Sequence, residues 1–211
     1  MGTPPFYFSQ LFHFNYLTFS EWVLWEHAGG AKNDQDWKDN MKELCSFKTI
    51  EDFWRYFNHI PKPSEVFYDG DTKKIVGSKK KTVEEYSLFK KGIEPEWGDP
   101  SNCTGGEWFL RKGMESDVLN MYWQNLVMGC IGEVIEDRTD ITEDKSGPVI
   151  INGARVVDKG KGVPMFRLEL WINTKDPVIK ERVRGVLAEV MTDGLPQLKR
   201  GPPKFDWRDH S

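Results

Sequence analysis

An α+β domain is predicted by two observations. Helix-start signals followed by apolar stripes occur at three places, and short β-like segments lie between them, bounded by Gly, Pro, Asn and Asp clusters. The short spacing between those segments favours antiparallel strands.

The elements follow in chain order. Residues 1–15 read as a loosely held N-terminal arm, and 16–198 as the folded domain. Residues 22–25 form the first β-like segment. Thr49-Ile50-Glu51-Asp52 resembles a capping box, with Asp52 in place of the usual Glu. Phe53, Trp54, Tyr56 and Phe57 follow and Pro61 stops the helix, giving about 49–60. Residues 61–84, with Asp69-Gly70-Asp71 and Lys79-Lys80-Lys81, read as a long solvated loop insertion. Strands are expected at 86–89 and 107–111. Ser116 is the expected cap of a second helix, whose Val118, Leu119, Tyr122, Leu126, Val127 and Cys130 recur at helical spacing until Gly132. Further strands fall at 149–157 and 166–172. Asp176-Pro177 is an N-cap followed by a first-turn proline, and Ile179, Val183, Val186, Leu187 and Val190 form the stripe of a helix ending near Gly194. Residues 199–211 read as a loosely held tail.

At 211 residues the chain suits one domain, and 38% apolar with 29% charged residues suits a packed core under a polar surface. A net charge of -4 argues against coating long stretches of nucleic acid, so any such contact should be local. Cys45, Cys103 and Cys130 lack C-x-x-C spacing, which indicates neither a disulfide framework nor a zinc site and fits a reducing compartment. No apolar run approaches membrane-spanning length. The four histidines are scattered, and no G-x-S-x-G, P-loop or H-E-x-x-H motif is present, so neither catalysis nor a cofactor is expected.

Three tryptophans stand in polar settings. Trp37 lies in Asn33-Asp34-Gln35-Asp36-Trp37-Lys38-Asp39-Asn40, which reads as a loop; Trp97 lies between Glu94-Pro95-Glu96 and Gly98-Asp99-Pro100, which reads as a turn. In Phe166-Arg167-Leu168-Glu169-Leu170-Trp171-Ile172 the alternation puts Arg167, Glu169 and Trp171 on the wetter face of a strand. A single tryptophan is more often core than ligand contact. Three in polar settings, two of them able to sandwich a flat cation and the third sharing a face with an arginine, point to a ligand with a flat ring and phosphate.

Several blocks, in order, resemble the family of the mRNA cap-binding initiation factor 4E: Trp22-Val23-Leu24-Trp25, Ile50-Glu51-Asp52-Phe53-Trp54, Tyr86-Ser87-Leu88-Phe89-Lys90 with Gly92-Ile93-Glu94-Pro95-Glu96-Trp97, Gly105-Gly106-Glu107-Trp108 and Ile131-Gly132-Glu133. They extend over about residues 20–192. The resemblance implies a curved antiparallel sheet with three helices on its convex face, a 7-methylguanosine ligand from the 5′ end of mRNA, and no catalysis. It implies Trp37 and Trp97 as the stacking pair, with Trp171 at the methyl group. N7 methylation makes guanine cationic, so stacking gains a cation–π contribution. Arg155 and Arg167 fall at the basic positions, where planar guanidinium groups suit phosphate oxygens; Lys159 and Lys161 are further phosphate candidates.

The chain departs from that pattern in places. Gly98 stands where the family has a glutamate for the guanine donor edge, leaving Asp99 as the substitute, with Glu96 or a backbone carbonyl as alternatives. Glu107 stands where an arginine is common, and weaker binding is expected. For a scaffold or regulator protein with an amphipathic Tyr-x4-Leu-Φ helix, the implied docking residues are Ile50, Trp54, Gln124, Met128, Ile131 and Gly132, with Gln124 in place of a leucine. Trp207, beside Arg208, is a candidate to stack on the nucleotide after the cap. The expected protein is a cytoplasmic monomer that recruits a scaffold for translation initiation. A cap-binding repressor or an mRNA storage or transport factor would share the pocket; an aromatic-cage reader of methylated lysine would not need the two arginines.

Overall fold

The computed structural model describes residues 17–68, 70, 71, 75, 76, 81–139, 150–195 and 203–210. Eight strands pair antiparallel throughout: β1 Leu17–Ala28, β2 Met41–Thr49, β3 Ile75–Val76, β4 Lys81–Lys90, β5 Gly106–Lys112, β6 Ile151–Asp158, β7 Phe166–Ile172 and β8 Asp206–Asp209. The main sheet runs β2-β1-β4-β6-β7-β5-β8, with β3 paired to β4. Register shifts interrupt β1 between Leu24 and Trp25 and β6 between Ile151 and Gly153. Such bulges bend a sheet, and the helices occupy its convex back.

Strand alternation sorts the side chains onto two faces. Tyr86 and Leu88 of β4, Ala154 and Val156 of β6, and Phe166, Leu168, Leu170 and Ile172 of β7 enter the apolar core beneath the helices. The opposite, concave face receives Glu85, Arg155, Arg167, Glu169 and Trp171 from the same strands. This division follows directly from the two-residue period of the sequence.

The three expected helices are present as α2 Ile50–Phe57, α4 Ser116–Ile131 and α6 Pro177–Thr192. Thr49 caps α2 by accepting from Asp52 N at 3.1 Å, and Phe53 carries the helix onto β2 through Phe47, ring centroids 5.3 Å apart. Asp176 caps α6 through the amides of Val178 and Ile179. At α4 the expectation fails by one residue: Ser116 is the first helical residue, and Glu115 occupies the cap position without a side-chain bond. Helix α4 lies over β1, β6 and β7 and packs beside α6.

Three short helices were not expected: α1 Asp34–Asn40, α3 Pro63–Val66 and α5 Val134–Arg138. Part of the 61–84 insertion is therefore structured. Val66 and Phe67 are buried, Phe67 stacks near Phe166, and β3 extends the sheet beside β4. Of its two motifs, Asp69 and residues 79 and 80 lie outside the described residues. The tail also differs from expectation, because residues 206–209 form β8 on the free edge of β5. Gly106 permits this packing, since a Cβ there would sit 2.4 Å from the Trp207 ring, and a Cβ on Gly105 would sit 1.8 Å from the Ile172 carbonyl of β7. Residues 1–15 lie outside the described residues.

Candidate functional site

The concave face carries a cleft of about 570 Å³ lined by Asp34, Trp37, Lys38, Pro95, Glu96, Trp97, Gly98, Arg155 and Trp171. One wall is α1, a single short helix between β1 and β2. Asn33 caps it, its side chain accepting from Asp36 N at 2.8 Å. His27 of β1 stacks behind Trp37 at 5.0 Å between ring centroids and donates from Nε2 to the Trp37 carbonyl at 3.2 Å. Trp37 is thus held from behind while its indole borders the cleft. The other wall is the turn that follows β4. Trp97 is 41% exposed there, the usual condition of a ring awaiting a partner rather than filling a core. Lys38 and Glu96 pair across the two walls at 2.9 Å. Their hydrogen bond is the main reason the Lys38 pKa lies above its ordinary value.

Asp99 builds the turn instead of facing the ligand space. It is buried, its Oδ2 accepts from Glu94 N at 2.9 Å and its Oδ1 from Ser101 N at 2.8 Å, and it does not line the cleft. Asn102 completes the turn by donating to the carbonyls of Glu94 and Glu96. The sequence could not separate a carboxylate that organises a loop from one that meets a ligand. Of the two acidic candidates, Glu96 alone borders the cleft.

The floor is an ion network spread over four strands. Arg155 pairs with Glu85 through two hydrogen bonds and stands 3.5 Å from Glu169. Arg167 pairs with Glu107, and its Nε lies 3.0 Å from Glu169. Trp171 donates from Nε1 to Glu169 at 2.8 Å. Burial raises the Glu169 pKa more than the neighbouring arginines lower it. Glu85 and Glu107 are also penalised by burial, but Arg155 overcomes this at Glu85, while a His210 hydrogen bond and Arg167 overcome it at Glu107. Both carboxyls therefore lie below the usual range.

Two expectations are corrected here. Trp37 lies on a capped helix, because Asn33 supplies a start signal that the surrounding acids obscured. Trp171 shares a face with Arg167 and Glu169, yet that face is not wet: Trp171 is fully buried, edge-on to Phe89 at 5.2 Å and beneath His210 at 4.2 Å. Arg155 lines the cleft, whereas Arg167 is buried beside it over the Phe109 ring at 3.9 Å. Lys159 and Lys161 are exposed on the β6–β7 loop, outside the cleft lining. Trp207 turns away from the cleft, packing on Trp108 at 5.2 Å under the Lys180 ammonium. The sequence reading missed His27, Lys38, Glu85 and His210. Only His27 and Glu85 carried a signal, since both lie on strands with a polar residue facing away from the core.

A family model described as Eukaryotic initiation factor 4E matches residues 18–200. The chain belongs to the eukaryotic initiation factor 4E family. It is similar to eukaryotic translation initiation factor 4E of Saccharomyces cerevisiae, 29% identical over 193 residues, covering 90% of this chain and 78% of that protein. Candida albicans has a relative with the same description, 27% identical, covering 80% of this chain and 71% of the relative. The solved Ascaris suum eIF4E-3 with m7G cap superposes with a TM-score of 0.69 at 26% identity, covering 94% of each chain. Membership accounts for the curved antiparallel sheet, the helices on its convex back and the ordered blocks.

On the convex side of this 4E-family fold the expected docking residues occupy α2 and α4. Ile50 and Trp54 are half-buried, and Trp54 joins Phe53 and Phe57 in an aromatic cluster. Ile131 and Met128 are buried, with Met128 bordering a groove of about 370 Å³ between α4 and α6. Gln124 borders a different groove, with Phe57 and Ile60, and Gly132 closes α4 by donating its amide to the Met128 carbonyl. Among the described residues no helix is long and apolar enough to cross a membrane, and no group of three or more His, Cys, Asp or Glu side chains could hold a metal.

Proposed function

We propose that the chain binds the 7-methylguanosine cap of mRNA and recruits a scaffold or regulator protein to capped messages in translation initiation. The observation that carries this reading is the cleft bordered by Trp37 on one element and Trp97 on another, with Arg155 between them on the floor. A cationic purine stacked on two indoles gains roughly 1–3 kcal/mol per ring contact. Glu96 is the guanine-edge acceptor in this reading, which requires its exchange of Lys38 for the ring donors. Arg155 serves the first phosphate, with Arg167, Lys159 and Lys161 toward later ones.

Binding is the whole function in this reading, with no bond made or broken in the RNA, and the setting is the cytoplasm. Partner docking uses the α2 and α4 face around Ile50, Trp54, Gln124, Met128, Ile131 and Gly132. A 7-methyl-GTP resin tests the reading. Retention of the protein, with elution by free 7-methyl-GTP and not by GTP, is expected. Equal elution by both nucleotides would reject cap selectivity.

A further inference from the structure

Residues 206–210 run along the edge of the sheet beside the cleft, where His210 and Arg208 lie against its lining tryptophans. Strand β8 pairs Arg208 with Glu107 and Asp209 with Gly106, and beyond its last pair the His210 amide donates to the Gly105 carbonyl at 3.0 Å. Lys175 holds the His210 carbonyl at 3.0 Å. Alternation turns Trp207 toward the helix layer and Arg208 and His210 toward the concave face. Arg208 lies over the Trp97 ring at 5.5 Å, with its Nε 3.7 Å from Glu107.

His210 has the position of a ligand rather than of a surface residue. Its ring is fully buried, lies near-parallel to Trp97 (5.9 Å, 20°) and covers Trp171 at 4.2 Å. Its Nδ1 faces the Asn102 carbonyl at 3.0 Å and its Nε2 faces the Glu107 carboxylate at 3.2 Å. Both partners are acceptors, so a ring nitrogen bonds to either of them only as an N–H donor. A flat ring against indoles, with its nitrogens facing a carboxylate and a carbonyl, is also the arrangement the cleft requires of a purine. Trp171 is the methyl-contact residue of the proposed function and has no exposed surface while His210 covers it.

We propose that His210 is an internal competitor for the cleft: it covers Trp171 and one region of Trp97, and cap binding requires its ring to swing out. This inference rests on the cap-binding reading. The swing needs no unpairing of β8, because His210 lies past the last paired residue and Trp207 stays anchored on Trp108. Glu107 keeps Arg167 and Arg208 as partners when the ring departs. A site that must first open binds with an affinity reduced by the fraction open.

The test is a fluorescence titration of the full chain and of His210→Ala with 7-methyl-GTP, the melting temperature of each being recorded. We expect the variant to bind about tenfold tighter, as for a site open in roughly one molecule in ten. Equal or weaker binding by a variant that melts like the unaltered protein would overturn the inference and make His210 a fixed part of the wall. If the variant does not fold, carbon-13 labelled histidine in the unaltered chain decides. On adding 7-methyl-GTP the His210 ring signal should lose its indole-induced shift, and an unmoved signal in the saturated complex would overturn the inference. Absence of any response to 7-methyl-GTP in both proteins would reject the cap reading and this inference together, whereas failure of the inference alone leaves binding by the unaltered chain intact.

Discussion

At the scale of single residues, charge matching on the cleft floor decides how strongly phosphate can be held. Arg155 and Arg167 are the arginines of the floor network, and each already faces two carboxylates. A phosphate must compete with Glu85, Glu107 and Glu169 for the same guanidinium groups, so it gains less than at an unpaired arginine. Glu107→Gln removes one competitor. It should strengthen binding of 7-methyl-GTP relative to 7-methylguanosine by about tenfold, equivalent to one charge-assisted hydrogen bond of roughly 1.5 kcal/mol. A ratio unchanged from the original protein, measured by calorimetric titration of both ligands, would show that Arg167 takes no part.

His27 ties the Trp37 wall to stability. Burial, the largest influence, lowers its pKa from 6.5, against smaller upward effects from Glu85 and the Trp37 carbonyl. The unfolded chain therefore binds a proton at this residue at a higher pH than the folded one does. The His27 contribution to stability is complete above the unfolded value near 6.5 and declines as the pH falls below it. Thermal melts from pH 7.5 to pH 5.5 should show stability falling, with a shallower fall in His27→Gln. Parallel curves for the two proteins would contradict the assignment.

At the scale of elements, the cleft depends on a helix of seven residues with none buried. Such a short helix has little packing to stabilise it and relies on its cap and on His27. Asn33→Ala should remove about 1 kcal/mol of local helix stability. Cap affinity should fall a few-fold while the global melting temperature changes little, since the Trp37 wall loosens without disturbing the core. A large drop in melting temperature with unchanged affinity would show instead that α1 supports the fold rather than the site.

The elements legible in the sequence were those with a strong period or a stop signal. Strand β7 was read to the residue because its apolar side chains alternate without a break, and α6 because Asp176-Pro177 opens it. Strand β2 was missed because it is an edge strand: only Cys45 and Phe47 are buried and Lys42 and Glu43 face solvent, which leaves no readable alternation. Strand β8 was missed for the same reason, being four residues long with Asp206, Arg208 and Asp209 in it. Trp37 and Trp97 were legible as tryptophans in polar surroundings, Arg155 and Glu96 only through the family resemblance, and the fold brings all four to one cleft. Asp99 and His210 were not legible, because the partners that define them, an amide five residues away and a carboxylate on another strand, exist only after folding.

At the scale of the whole molecule, the net charge of -4 argues against coating long stretches of RNA. In the proposed function specificity then resides in the cleft, through the methyl-dependent charge of the purine and its stacking on Trp37 and Trp97. The convex face lies on the other side of the sheet, so ligand and protein partner can be held together without competing for surface. Tryptophan-fluorescence titration with 7-methyl-GTP, GTP and 7-methylguanosine, on the unaltered chain and on Trp97→Ala, tests this most directly. Quenching that favours 7-methyl-GTP over GTP at least tenfold, and falls by a factor of ten or more in the variant, about 1.4 kcal/mol of stacking, is expected. Equal responses to methylated and unmethylated nucleotide, or a variant that binds as well as the original, would contradict a cap slot built on Trp97.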